Sequence, residues 1–212
     1  MAIQTPTRPA ESGKRRDRLR AQSRQEILDA ARRILRDQGI KELSMRGLAH
    51  AVGSSPATIY DYFENKEGVL DALFQQGAER LLDAFQEAVS STEPGLSQLR
   101  QIALAYRAFA HDEPDLFQLI FGRVDRTYCP NEVAKARGTA LFDILVAAVE
   151  QAEAVGQLRQ VDPVAAALSA WAAVHGFVTL EINGYLDEEC GTVGGDAMFE
   201  TSLRLLFEGF SP

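Results

Sequence analysis

Ser44-Met-Arg-Gly-Leu-Ala-His-Ala-Val-Gly53-Ser-Ser-Pro-Ala-Thr-Ile-Tyr60-Asp-Tyr-Phe63-Glu-Asn-Lys66 decides the fold, because it reads as two short helices folded about a glycine. Ser44 is placed to cap a first helix whose inward face is Leu48 and Val52, with Ala49 small enough for a second helix to approach. Gly53 follows directly, where a sharp turn needs a left-handed residue. Ser55 then caps a second helix with Pro56 at its first position, where the missing N–H costs nothing. Ile59, Tyr62 and Phe63 form the apolar side of that helix. Pro56, Ala57, Thr58, Tyr60 and Asp61 fall nearer its outer side. Asn65 caps a third helix and leaves Lys66 beside its positive end, a poor place for a cation structurally but a good one for gripping a phosphate.

Two readings fit this spacing: a helix-turn-helix that sets its second helix in the DNA major groove, or a plain helical hairpin in an all-helical core. Charge favours the first. The chain of 212 residues has a net charge of −8. Through Lys66 there are 13 Lys and Arg against 8 Asp and Glu, and beyond it 9 against 22, so the hairpin lies in the basic part of an otherwise acidic chain.

Upstream, Met1 to Ala21 has no apolar core suited to a signal peptide, and residues 1–22 are expected to be a disordered basic arm. Lys14, Arg15, Arg16, Arg18 and Arg20 within it suit either phosphate contact or solubility. Residues 23–66 form the expected helix-turn-helix domain. Ser23 and Glu26 read as a capping box for its first helix, with Ile27, Ala30, Ala31, Ile34 and Leu35 on one face and Arg24, Arg32, Arg33 and Arg36 largely off it. Gly39 ends that helix.

Residues 67–212 read helix after helix, which makes the chain all-α with about nine helices. A long helix from Asn65 to about Ser90 joins the basic domain to the rest. Helices follow over Leu96 to His111, from Pro114 to Phe121, and over Asn131 to Val155. The segment Asp162 to Asn183 holds the longest apolar run. Ala, Ser and His dilute it and no basic residues flank it closely, so it reads as a covered helix of a soluble chain and not as a membrane span. One monomer covers such a helix only in part. A two-fold four-helix interface is therefore expected, using Leu168 and Ala172 with Phe199, Leu203, Leu206, Phe207 and Phe210 of the last helix.

Catalytic equipment is missing. His50, His111 and His175 do not form HExxH or HxxxH, and no nucleophile elbow, phosphate loop or dinucleotide fingerprint occurs. Asp187-Glu188-Glu189 reads as a solvated acidic loop, since adjacent side chains diverge. No cofactor or metal is expected. Cys129 and Cys190, in no CxxC pair, suit a reducing cytoplasm. A helical enzyme and a protein-binding adaptor are the competing classes, and the adaptor leaves Tyr60, Lys66 and the basic arm without purpose.

Ser23 to Lys66 resembles the DNA-binding domain of the tetracycline-repressor (TetR) family, through Ser44-Met-Arg, Leu48-Ala49, Gly53, Thr58-Ile59-Tyr60, Phe63 and Lys66-Glu67. Trp171-Ala-Ala-Val-His175-Gly176 is similar to the Trp-His-Gly ligand-binding subgroup of that family. The resemblance implies a repressor that binds a palindromic double-stranded operator as a homodimer and is released by a largely apolar small molecule. It implies that Thr58 and Tyr60 meet phosphates or a nearby base and that Lys66 meets a phosphate. Arg24, Ser44, Arg46, Ser55, Pro56, Ala57, Asp61 and Tyr62 are the further candidates for the DNA surface. It also implies a pocket in the C-terminal domain, for which Phe85, Tyr106, Phe109, Phe117, Phe121, Leu145, Trp171 and His175 are the candidate lining. Two positions depart from the family pattern. Ser54 stands where an apolar residue usually anchors the turn, and Asp61 puts a carboxylate on the recognition helix.

Overall fold

A computed structural model describes residues 10–122, 128–186 and 195–211. Among these the chain forms nine α-helices and no strand: α1 (Ala10–Gln38), α2 (Met45–Ala51), α3 (Pro56–Tyr60), α4 (Lys66–Ser90), α5 (Leu96–Asp112), α6 (Pro114–Phe121), α7 (Glu132–Ala154), α8 (Pro163–Ile182) and α9 (Asp196–Glu208). Two compact units divide between Leu73 and Phe74, inside α4 and a little beyond the boundary expected at Lys66.

The first unit is a small helical cluster. Ile27, Leu28, Ala30, Ala31 and Ile34 of α1 are buried with Leu48, Ala49, Ile59, Phe63, Val69 and Leu70. Gly39, at φ 83°, ends α1 by donating its N–H to the carbonyls of Ile34 and Leu35, both at 3.1 Å. The start of α1 corrects the sequence reading. The helix opens at Ala10 and runs unbroken through Ser23, so Ser23 is no cap and residues 10–22 are helical. Lys, Arg, Leu and Ala at 14–21 are good helix formers, and their summed preference outweighs a Ser-x-x-Glu signal in mid-chain. Glu26 accepts from the Gln22 amide at 3.0 Å, a bond along the helix in place of a reach back to a cap.

In the second unit α7 packs on α8 and α5, α5 on α6 and α8, and α9 on α8. Gly77 lets α4 meet α6 closely, since a Cβ there would stand 2.9 Å from Ile120 Cδ1 and 3.1 Å from Leu116 Cβ. The apolar run becomes α8, the one described helix long and apolar enough to cross a membrane. It buries Ala166, Ala167, Ala170, Val174 and Val178 within the unit, while Val164 and Leu168 are 53% and 52% exposed. It is therefore two-sided, with one side left open. Arg107 of α5 ties the unit together: Nε and Nη2 donate to the Glu181 carboxylate at 2.7 and 2.8 Å, Nη1 donates to Asp196 at 2.7 Å, and the guanidinium lies 4.9 Å from the Phe199 ring centre.

Two of the residues expected at a subunit interface belong to this core. Phe199 and Leu203 are fully buried, Phe199 with its ring 5.2 Å from that of Phe177. Spaced four apart, they share the face of α9 that closes onto its own chain. Leu206, Phe207 and Phe210 are half-buried; Leu168 and Ala172 are exposed, as is Leu205, which the sequence reading left out.

Candidate functional site

The glycine-turn hairpin folds as its residues demand. Ser44 accepts from the Gly47 N–H at 3.1 Å and Ser55 from the Thr58 N–H at 3.1 Å. Gly53 takes φ 64°, and the Ser54 N–H then donates to the Ala49 carbonyl at 2.8 Å. At Ser54 the backbone closes the turn and the side chain is exposed, so no apolar anchor is needed there. α3 is only five residues long. It buries Ile59 and presents Pro56, Ala57 and Tyr60 outward, with Tyr60 55% exposed. Ser44, Arg46, Ser55 and Asp61 are exposed too, whereas the Thr58 hydroxyl shares a 2.9 Å hydrogen bond with the Ser55 hydroxyl.

Lys66, Arg24 and Tyr62, all expected at the DNA, also have partners inside the unit. Asn65 caps α4 through the Gly68 N–H at 2.8 Å. The Lys66 ammonium donates to the Ile40 carbonyl at 2.7 Å, tying α4 to the turn after α1. Arg24 lies 4.9 Å from the Phe63 ring centre, and Tyr62 is half-buried under Arg20, whose guanidinium is 5.4 Å from its ring centre. Apart from the Asn65 cap, which the sequence already marks, these contacts join residues far apart in sequence, and spacing within one helix carries no sign of them.

The second unit holds a partly open cavity of about 520 Å³. Phe74, Leu81 and Phe85 of α4, Tyr106 of α5, Ile120 and Phe121 of α6, Leu141, Phe142 and Leu145 of α7, and Trp171 and Val174 of α8 line it. Its few polar linings include Lys135 and Thr139 on one face of α7. The Lys135 ammonium pairs with Glu132 at 2.8 Å, and that carboxylate raises its pKa.

Of the expected lining, Phe85, Tyr106, Phe121, Leu145 and Trp171 reach the cavity; Phe109, Phe117 and His175 do not. Phe109 and Phe117 are buried in the core beside it. His175 stacks on Phe117, ring centres 5.7 Å apart, and backs the wall. Phe74 and Phe142 were missed. Phe74 continues the Leu81–Phe85 stripe upward by about two turns and Phe142 lies one turn before Leu145, so extending each stripe would have found them.

Behind the wall runs a hydrogen-bonded chain. Burial raises the Tyr106 pKa and lowers that of His175, so both rings are neutral near pH 7. The Tyr106 hydroxyl donates to His175 Nδ1 at 2.8 Å while accepting from Trp171 Nε1 at 3.4 Å. The His175 proton then sits on Nε2, 3.5 Å from the Thr179 hydroxyl. A side-chain hydroxyl thus satisfies Nδ1.

An N-terminal helix-turn-helix on a helical domain with an apolar cavity defines a DNA-binding regulator. A family model described as "Tetracyclin repressor-like, C-terminal domain" matches residues 99–206, and one described as "Bacterial regulatory proteins, tetR family" matches residues 27–73. The chain belongs to the TetR family of transcription regulators and is not an enzyme. It is 26% identical to the HTH-type transcriptional regulator Rv1816 of Mycobacterium tuberculosis, over 92% of this chain and 94% of that one. The regulator UidR of Escherichia coli is 36% identical over 67 residues, 32% of this chain and 34% of its own. Among solved structures, a protein of unknown function from Rhodococcus sp. RHA1 superposes with a TM-score of 0.77 at 29% identity, over 89% of this chain and 95% of that one. The putative regulatory protein SCO4313 gives 0.76 at 25%, over 95% and 98%.

Proposed function

We propose that this chain is a cytoplasmic repressor that binds a palindromic operator as a homodimer and is released by a small, largely apolar effector. The observation that carries the reading is the run of α4. One unbroken helix begins at Lys66 in the DNA-binding unit and supplies Phe74, Leu81 and Phe85 to the cavity wall. A ligand regulates only by favouring one of two arrangements, and a helix shared by reader and cavity is the element through which it would act. The cavity volume lies within the range for small-molecule sites. The exposed Val164, Leu168 and Leu205 support self-association, and a two-fold dimer presents two equivalent recognition helices to a palindrome.

At the duplex, Tyr60 and the exposed Ser44, Arg46, Ser55, Pro56 and Ala57 form the contact surface. Lys66 keeps ammonium protons for a phosphate beyond the one it gives Ile40. Asp61 selects against some bases by accepting from cytosine N4.

Selection of binding sites from random duplex DNA tests the reading and is expected to return an inverted repeat. Apolar compounds are then screened through the fluorescence of Trp171, the chain's single tryptophan. A compound that quenches Trp171 should lower operator affinity, and operator should lower its affinity by the same factor. Non-palindromic sites, or operator affinity unchanged by every saturating cavity ligand, would refute the respective halves of the proposal.

A further inference from the structure

From Gly13 on, the first buried residue of α1 is Ile27, although the helix opens at Ala10. Every residue from Lys14 to Gln22 is exposed, Leu19 among them at 54%. A helical segment with no apolar face draws little stability from packing: helix propensity keeps it helical, and its charges lie in solvent. From Lys14 to Arg20 the segment carries five cations and one carboxylate, in a chain whose net charge is −8.

The segment is held in a definite place. Arg20 donates to the Asp61 carbonyl at 3.0 Å and lies over Tyr62; Arg24, one turn on, lies over Phe63. Asp61 is the C-cap of α3, so this stripe docks on the end of the recognition helix itself. Arg16, Arg20 and Arg24 are four residues apart and share one face. Arg16 therefore stands one turn further out on the same line, with Lys14, Arg15 and Arg18 around it.

We propose that this basic extension of α1 is a second DNA-binding element, in which Lys14, Arg15, Arg16 and Arg18 hold backbone phosphates flanking the groove that α3 reads. Because Arg20 anchors the extension to α3, it meets the same duplex that α3 enters. Its contacts are to phosphate and carry no base information, so they strengthen binding to any sequence and lengthen the protected site. The inference rests on the helix-turn-helix reading duplex DNA through α3.

The test replaces Lys14, Arg15, Arg16 and Arg18 together by Gln in the full chain, which keeps helix propensity and removes charge. Operator affinity is measured across a salt series, and the protected site is mapped by hydroxyl-radical cleavage. The log-log salt slope should become shallower by about 2 to 3, at up to about 0.9 for each phosphate no longer neutralised. Protection should shrink at its flanks, and base preferences should be unchanged. An unaltered slope and footprint would overturn the proposal and leave the segment a solubilising helix. Tyr60→Ala separates the underlying reading: if it leaves operator affinity unchanged, the assignment of the reading surface to α3 is wrong, whatever the Gln variant does.

Discussion

The Tyr106 hydroxyl and His175 Nδ1, 2.8 Å apart, join α5 to α8 behind the cavity wall. The bond needs a neutral imidazole to accept it, which makes this wall sensitive to acid. Burial lowers the His175 pKa below its ordinary value of about 6.5. Between the lowered folded value and about 6.5 the unfolded chain binds more protons, so stability rises with pH through that window. The stability that depends on a neutral ring is full above about pH 6.5 and is lost as the pH falls toward the lowered folded value. The His175 ring resonances should titrate with a midpoint under 6.5, and Tyr106→Phe should move that midpoint. A midpoint at or above 6.5 would contradict the buried neutral assignment.

Tyr106→Phe keeps the ring but leaves His175 Nδ1 and the Trp171 N–H without their shared partner. A fully buried polar group left unsatisfied costs about 1 to 3 kcal/mol, and since both groups are half-buried urea unfolding should show a loss at the lower end, about 1 kcal/mol. No change would mean that water replaces the hydroxyl.

Arg107 faces a Glu181 carboxylate whose side chain is only 7% exposed. Removing one partner strands a buried charge, so Arg107→Met should cost about 3 kcal/mol, and Arg107→Met with Glu181→Leu should recover most of it. Denaturation of the single and double variants measures this. Equal losses in both would show that the clamp works through packing on Phe199 and not through charge.

Lys66 has two proposed jobs that salt dependence separates. If its ammonium binds phosphate as well as the Ile40 carbonyl, Lys66→Met weakens operator binding and makes the salt slope shallower by about 0.9. Weaker binding with an unchanged slope would assign the residue to holding the turn alone.

Leu168→Glu puts a charge on the open side of α8 and should leave the chain folded but monomeric by sedimentation equilibrium, with operator binding lost. Leu203→Ala, inside the α9 core, should instead lower stability by about 2 to 5 kcal/mol. A dimeric Leu168→Glu protein would move the interface elsewhere.

The hairpin was legible in the sequence because its determinants are local. Ser44 and Ser55 cap the next turn, Gly53 takes the one backbone conformation the turn requires, and Ile59 and Phe63 mark an inner face by spacing alone. The same holds for the helices of the second unit and for most of the aromatic residues around the cavity. Tertiary contacts settled the rest. Lys66 reaches back 26 residues to Ile40, and Arg20 forward 41 to Asp61, by bonds that no periodicity encodes. Phe199 and Leu203 looked like an interface because an apolar stripe shows that a face must be covered, not what covers it; here their own chain does. Sequence thus determined, the start of α1 apart, which segments are helical and which faces are apolar, since capping, propensity and spacing act within a few residues. Which face meets which partner, which aromatic lines the cavity, and where each cation is anchored depend on packing between distant segments, and only the folded chain decides them.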